Sequence, residues 1–154
     1  MFEQTGNLWE LVGPDDILVI TTNGFVRKDG SAVMGRGIAY QATQHDPDVD
    51  KRLGKLIKNK GNPVHLIHIN PYWLSFPVKH GWFEKADLSL IERSTQELKQ
   101  FVDTHASMYD IFMDQVYLPR PGCGNGRLKW EDVKPVIEPY LDDRFIVVTY
   151  EKST

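Results

Sequence analysis

The apolar positions of the chain fall into short runs separated by glycine, proline and acidic clusters, and the period inside each run separates strands from helices. Ile17-Leu18-Val19-Ile20 is continuous and β-branched, bounded by Gly13-Pro14-Asp15-Asp16 and by Thr22-Asn23-Gly24, as expected of a strand buried on both faces. Val64 to Ile69 is a second such run, entered from Gly61-Asn62-Pro63 and left at Asn70-Pro71. Tyr72 to Phe76, Ile111 to Leu118 and Phe145 to Tyr150 complete the predicted strands.

Helical spacing occupies the intervals. Gly35 to Gln44 predicts a helix that Asp46-Pro47 ends, and Asp48 to Asn59 predicts another capped by Asp48 or Asp46. Over Ser89 to Val102 the residues Leu90, Ile91, Leu98, Phe101 and Val102 share one face, and Ser89 with Glu92 gives a capping-box pattern. Trp130 to Leu141 places Val133, Val136, Ile137 and Tyr140 inward, but Pro135 and Pro139 require that helix to be kinked or short. Strands too apolar to face water, alternating with helices, specify an α/β protein, a three-layer α/β/α sandwich around a mixed, largely parallel sheet. Its ligand belongs over the carboxyl ends of the strands.

Length and composition narrow the picture further. The 154 residues, 41% apolar and 25% charged, suit one domain spanning 1–154. No run reaches the roughly 18 to 20 apolar residues of a membrane span, and Met1-Phe2-Glu3-Gln4-Thr5 lacks a secretory pattern, so a cytoplasmic, membrane-free protein is expected. A net charge of -3 argues against a protein that mainly wraps nucleic-acid backbone. Lys51, Arg52, Lys55, Lys58 and Lys60 read as a solvated helix face. The single Cys123 excludes an internal disulfide, and the dispersed His45, His65, His68, His80 and His105 have no metal-ligand spacing, so neither metal nor cofactor is expected.

Candidate chemistry lies in two glycine-rich loops, Met34-Gly35-Arg36-Gly37 after the first strand and Gly122-Cys123-Gly124-Asn125-Gly126 after the strand ending at Leu118. Glycine lets successive N–H groups converge on an anion, and a helix starting just after adds its positive dipole end. Both loops therefore read as phosphate cradles. Neither matches G-x-x-x-x-G-K-[ST] or G-x-G-x-x-G, which sets aside NTPases and dinucleotide-dependent dehydrogenases.

Thr22-Asn23-Gly24, Ala32-Val33-Met34-Gly35-Arg36-Gly37-Ile38-Ala39 and Leu118 to Trp130 together resemble the macrodomain family. The resemblance is greatest to the branch holding terminal ADP-ribose glycohydrolase and the bacterial antitoxin macrodomains that remove ADP-ribose from DNA. It implies ADP-ribose, or an ADP-ribosylated DNA or protein, as ligand. Met34, Gly35, Arg36, Gly37 and Ile38 would line the diphosphate from one side, and Pro119, Gly122, Cys123, Gly124, Asn125 and Gly126 from the other. Thr22 and Asn23 would reach the distal ribose, with Asn23 counted among the catalytic residues. Asn7 and Leu8 match the family's early Gly-Asp-Leu segment that receives adenine, with an amide in place of the carboxylate. Asn23 also reads as a turn residue before Gly24. Val26 to Ser31 is longer than the family pattern and reads as a hairpin at the mouth of the site or as a neutral insertion.

Ser75-Phe76-Pro77-Val78-Lys79-His80-Gly81-Trp82 resembles the Phe-Pro-x-Lys-x-x-Trp of the DNA-directed antitoxins, which implies that Lys79 is catalytic. The terminal glycohydrolase uses an aspartate two residues after its Gly-Cys-Gly, where this chain has Gly126, and this favours the antitoxin branch. A glycohydrolase acting through a lysine nucleophile is the leading expectation. A noncatalytic ADP-ribose reader, an ADP-ribose 1″-phosphatase and an interaction domain with two structural turns are the alternatives. A monomer is expected, and the antitoxin resemblance leaves room for a toxin partner.

Overall fold

A computed structural model describes residues 1–108 and 115–151. The elements run β1 (Phe2–Gly6), α1 (Leu8–Leu11), β2 (Ile17–Asn23), α2 (Gly37–His45), α3 (Val49–Lys60), β3 (His65–His68), β4 (Tyr72–Lys79), α4 (Leu88–Met108), β5 (Val116–Pro119), α5 (Trp130–Ile137) and β6 (Phe145–Tyr150). The six strands form one sheet in the order β1-β6-β5-β2-β4-β3, parallel throughout except for β3, which pairs antiparallel to β4 at one edge. The mixed, largely parallel sheet of the sequence reading is therefore present.

The continuous apolar runs are explained by burial on both sides. Along β2, Ile17 and Val19 join the core under α4 and α5, while Leu18 and Ile20 join the core under α1, α2 and α3. Phe145 and Val147 of β6 face the first core, and Ile146 and Val148 the second. A period of two with apolar residues in both phases leaves no polar face, which is the pattern of a parallel sheet between helical layers.

Several boundaries differ from the sequence reading. β2 continues past Ile20 to Asn23, and β4 continues past Phe76 through Pro77 to Lys79. The proline is tolerated because β3 stops opposite Ser75, so this neighbour asks no N–H of Pro77, and the Pro77 carbonyl is taken by the Ser94 hydroxyl at 2.7 Å. α4 starts one residue before Ser89, and the Asp87 carboxylate, not Ser89, accepts from the Ser89 N–H at 2.9 Å. Asp48 stands at the N-cap of α3 without a side-chain cap bond, while Asp46 accepts from the Asp48 N–H at 3.2 Å. α5 ends at Ile137, short as Pro135 requires. The Ile111–Asp114 part of the predicted fifth strand lies outside the described residues.

β1 and α1 were not legible. Phe2 to Thr5 are exposed, so no alternation marks the strand, and α1 is one turn capped by Asn7. Glu3 on β1 takes hydrogen bonds from Trp130 Nε1 at 3.0 Å and Lys134 Nζ at 2.7 Å, tying this edge strand to α5. The Val26–Ser31 segment is a tight turn with a Val26–Ala32 bridge, seated on α3, where a side chain on Gly54 would collide with the Gly30 carbonyl. It rests beside a helix and does not line the cleft described next. No helix among the described residues is long and apolar enough to cross a membrane.

Candidate ligand-binding cleft

β2 and β5 are neighbours, and the chain leaves β2 toward β4 on one side and leaves β5 toward β6 on the other. Such a switch point opens a crevice at the carboxyl ends of the strands. A cleft of about 1130 Å³ lies there, walled by the loop from β2 to α2 and the loop from β5 to α5. Its volume is in the range of sites that hold a cofactor-sized molecule.

Of the predicted site residues, Asn7, Leu8, Thr22, Asn23, Gly35, Arg36, Gly37, Ile38, Lys79, Pro119, Gly122, Cys123, Gly124, Asn125 and Gly126 all line this cleft. Met34 does not. Its side chain is buried in the core under α2 and α3, so it anchors the loop from below.

Glycine serves distinct purposes around the cleft. Gly122 has φ +75°, and a Cβ there would lie 2.8 Å from Ile91 Cδ1; a Cβ on Gly126 would lie 2.5 Å from the Gly122 carbonyl. These two are glycine because the second loop is folded tightly on itself and on α4. Of the 12 glycines, only Gly35 and Gly124 combine an ordinary φ with nothing within 4 Å of the added Cβ. Both line the cleft, one in each wall, and both aim their bare Cα at open space. The walls meet closely at one place, where a Cβ on Gly37 would lie 3.4 Å from Asn125 Nδ2.

The helix ends differ too. α2 begins at Gly37 with no side-chain cap and no acidic residue in its first turn, and its start lines the cleft. Its free N–H groups and dipole are thus available to an anion. α5 begins four residues after Gly126, carries Glu131 and Asp132 in its first turn, and lies outside the cleft lining. Of the two helix starts expected at the cradle, that of α2 lines the cleft and that of α5 does not.

At the far end, β2 and β4 end side by side, with Asn23 paired to Lys79 after a register shift at Thr22 and Asn23. Asn23 donates through Nδ2 to the Val33 carbonyl (3.0 Å) and accepts at Oδ1 from the Phe25 N–H (2.9 Å). It therefore ties the entry and exit of the first loop together, as its turn reading anticipated, while still lining the cleft. The buried Thr22 hydroxyl beside it has no hydrogen-bond partner among the described residues. Lys79 Nζ donates to the Asn125 carbonyl across the cleft at 3.0 Å. Burial, then the nearby Arg127 and Arg36 guanidiniums, hold its amine below the usual lysine range. His80 points elsewhere and pairs with Asp87 at 2.9 Å. Burial pushes the Cys123 thiol up, which disfavours its thiolate.

At the opposite end, β1 lies beside β6, so Gly6 and Asn7 line the same wall as Thr149 and Tyr150. Asn7 Oδ1 already accepts from the Trp9 N–H at 3.0 Å as the cap of α1.

The fold agrees with known proteins. The macrodomain of Thermus aquaticus DarG superposes with a TM-score of 0.74 at 25% identity, over 98% of this chain and 97% of that one. This chain has the macrodomain fold. Its curated relative, the DNA ADP-ribosyl glycohydrolase of Thermus aquaticus, is 26% identical over 145 residues, covering 89% of this chain and 36% of the relative. The macrodomain thus spans about a third of the length of that relative. The Thermosipho africanus structure of DarTG in complex with ADP-ribose shares the fold, with a TM-score of 0.71 at 21% identity, over 88% of this chain and 38% of that one. No protein-family model matches the chain.

Trp82, read from sequence only as part of the motif around Lys79, lines the cleft, as do Phe83, Arg120, Arg127 and Tyr150, which were not proposed as site residues. The adjacent aromatics after Gly81 and the arginines flanking the second loop were the available signals.

Proposed function

We propose that this macrodomain binds ADP-ribose in the cleft and removes a single ADP-ribosyl group from a modified macromolecule, with DNA as the preferred substrate class. The observation that carries the reading is the pair of open glycines, Gly35 and Gly124, one in each wall of the cleft, with the Lys79 amine bonded to the Asn125 carbonyl between them and the ends of β2 and β4. In this reading the diphosphate passes between the loops, met by the N-terminal N–H groups of α2 and by Arg36. Adenine lies toward Asn7 and Tyr150, and the distal ribose toward Asn23, Thr22 and Lys79. The ligand of the Thermosipho africanus structure and the activity in the Thermus aquaticus relative's name support the same ligand and reaction.

The chemistry assigned to Lys79 needs a neutral amine, and its depressed basicity favours that form. Nζ bonds to C1″ of the distal ribose as the bond from C1″ to the macromolecule breaks, and the departing atom takes up a proton. The ring opens to a Schiff base. Water then adds at C1″, frees ADP-ribose and returns the lysine. The enzyme that installs the modification, the toxin of the sequence-level expectation, is the partner this reading calls for.

The test is incubation with ADP-ribosylated single-stranded DNA beside glutamate-linked ADP-ribosylated protein, for the parent and Lys79→Ala. Release of ADP-ribose from DNA by the parent, with at least a hundredfold loss in the variant, is expected. Parental turnover by Lys79→Ala would remove the lysine mechanism. Tight binding of ADP-ribose with no release from either substrate would make the protein a reader.

A further inference from the structure

The segment that joins β4 to α4 is fixed at both ends and bare in its middle. At its start, the His80 carbonyl accepts from the Gly24 N–H at 3.2 Å, and the His80 ring meets Asp87 at 2.9 Å. At its end, the Ala86 N–H donates to the Gly126 carbonyl at 3.0 Å and the Asp87 N–H to the Val78 carbonyl at 2.9 Å. Between these ties Gly81-Trp82-Phe83-Glu84 makes a turn closed by Glu84 N–H to the Gly81 carbonyl at 3.2 Å.

Trp82 and Phe83 occupy the two central positions of that turn. Their rings meet edge to face, with centroids 5.6 Å apart at 86°, and remain 54% and 63% exposed. A side chain on Gly81 would come within 3.0 Å of the Phe83 ring, so the ring lies over the glycine and the pair is held in place from beneath. Both rings line the cleft, in the segment that begins at Lys79. Holding two large aromatic rings in water is unfavourable, and a braced aromatic pair at the rim of a binding cleft is the form a stacking surface takes.

We infer that Trp82 and Phe83 form a stacking platform for a nucleobase of the DNA strand attached to C1″ of the bound ADP-ribose. This rests on the proposed function, which places C1″ beside Lys79. Whatever is attached there leaves the cleft past this turn. An acidic side chain on a peptide presents no flat face to the rings, whereas every nucleobase does. The guanidiniums of Arg36 and Arg127, close enough to Lys79 to depress its basicity, add charge complementary to a phosphodiester strand. The platform therefore selects nucleic acid over protein as the carrier of the modification.

The experiment measures affinity by fluorescence anisotropy in a Lys79→Ala background, which leaves substrate intact. The probes are free ADP-ribose, a glutamate-linked ADP-ribosyl peptide and a short single-stranded oligodeoxynucleotide carrying ADP-ribose on a base. Combining Trp82→Ala with Phe83→Ala should weaken the oligonucleotide about tenfold or more, leave the other two within about twofold, and preserve the melting temperature because both rings are exposed. Trp82→Tyr should recover most of the loss. Unchanged oligonucleotide affinity, or an equal loss for all three probes, overturns the platform while leaving the cleft assignment standing. A protein with intact aromatics that binds none of the probes overturns the cleft assignment and the platform together.

Discussion

The loop that carries Gly35 is tied by the Asn23 side chain beside backbone bonds from Ala32 to Asp50 and from Val33 to Phe25, whereas the loop around Gly122 is folded on itself through its own backbone. Asn23 spans the first loop with two hydrogen bonds, to Val33 and from Phe25. In the second loop Leu128 N–H reaches the Gly122 carbonyl at 2.9 Å, Arg127 N–H the Gly124 carbonyl at 3.0 Å, and Cys123 N–H the Arg120 carbonyl at 3.3 Å. The first loop ends in a helix whose start lines the cleft; the second ends in one whose start does not. Two walls that look alike as glycine-rich sequence thus divide the work. One offers the dipole and free N–H groups of α2 to an anion, and the other offers a rigid surface that fixes Asn125 opposite Lys79.

The largest expected effect breaks the rigid wall. Gly122→Val must place a β-branched side chain at φ +75° and against Ile91, Ala86 and Leu128, costing about 2–4 kcal/mol of stability by chemical denaturation. Next comes the tie of the first wall: Asn23→Ala leaves the Val33 carbonyl and Phe25 N–H without their bonds and should cost about 1–2 kcal/mol. Similar losses for the two variants would erase the distinction between the walls.

A subtler probe is the charge that the second wall brings to Lys79. Arg127 sits at φ 65°, a left-handed conformation unusual for its residue type, and its charge is one cause of the lowered lysine basicity. Arg127→Ala should let the Lys79 amine hold its proton to higher pH. The rising limb of kcat/KM against pH then moves upward. The linked stability has the same sign: the folded state binds this proton less tightly than the unfolded chain, so stability rises with pH through the window between the lowered value and the ordinary lysine one. An unmoved limb in Arg127→Ala would separate Lys79 from the rate. The smallest effect is on the open glycines. A Cβ added at Gly35 or Gly124 meets no neighbour, and Gly35→Val and Gly124→Val should stay within about 0.5 kcal/mol of the parent.

Much of this molecule was legible in the chain. Ile17 to Ile20 and Phe145 to Val148, the apolar start of the predicted Phe145 to Tyr150 strand, announced buried strands because no polar residue interrupts them, and the glycine loops announced a cleft because they gather glycine at strand ends. What was missed depends on tertiary position. β1 lacks a buried face, so its five residues carry no hydrophobic period. Met34 sits inside a loop motif, yet its side chain turns into the core, and no local pattern distinguishes those directions. The capping role of Asp87 over Ser89 is a contest between adjacent acceptors that helix geometry settles. Trp82 and Phe83 matter because the fold ties both ends of their turn at the rim, a fact carried largely by bonds to Gly24 and Gly126, far away in sequence.

The central claim is that the two walls close on one diphosphate, and calorimetric titration of ADP-ribose into the parent, Gly35→Val and Gly124→Val tests it most directly. The account predicts one-to-one binding by the parent, and at least about tenfold weaker binding by each variant at unchanged melting temperature, because a side chain on either wall fills the gap. Absence of binding by the parent, or parental affinity in both variants, would contradict it.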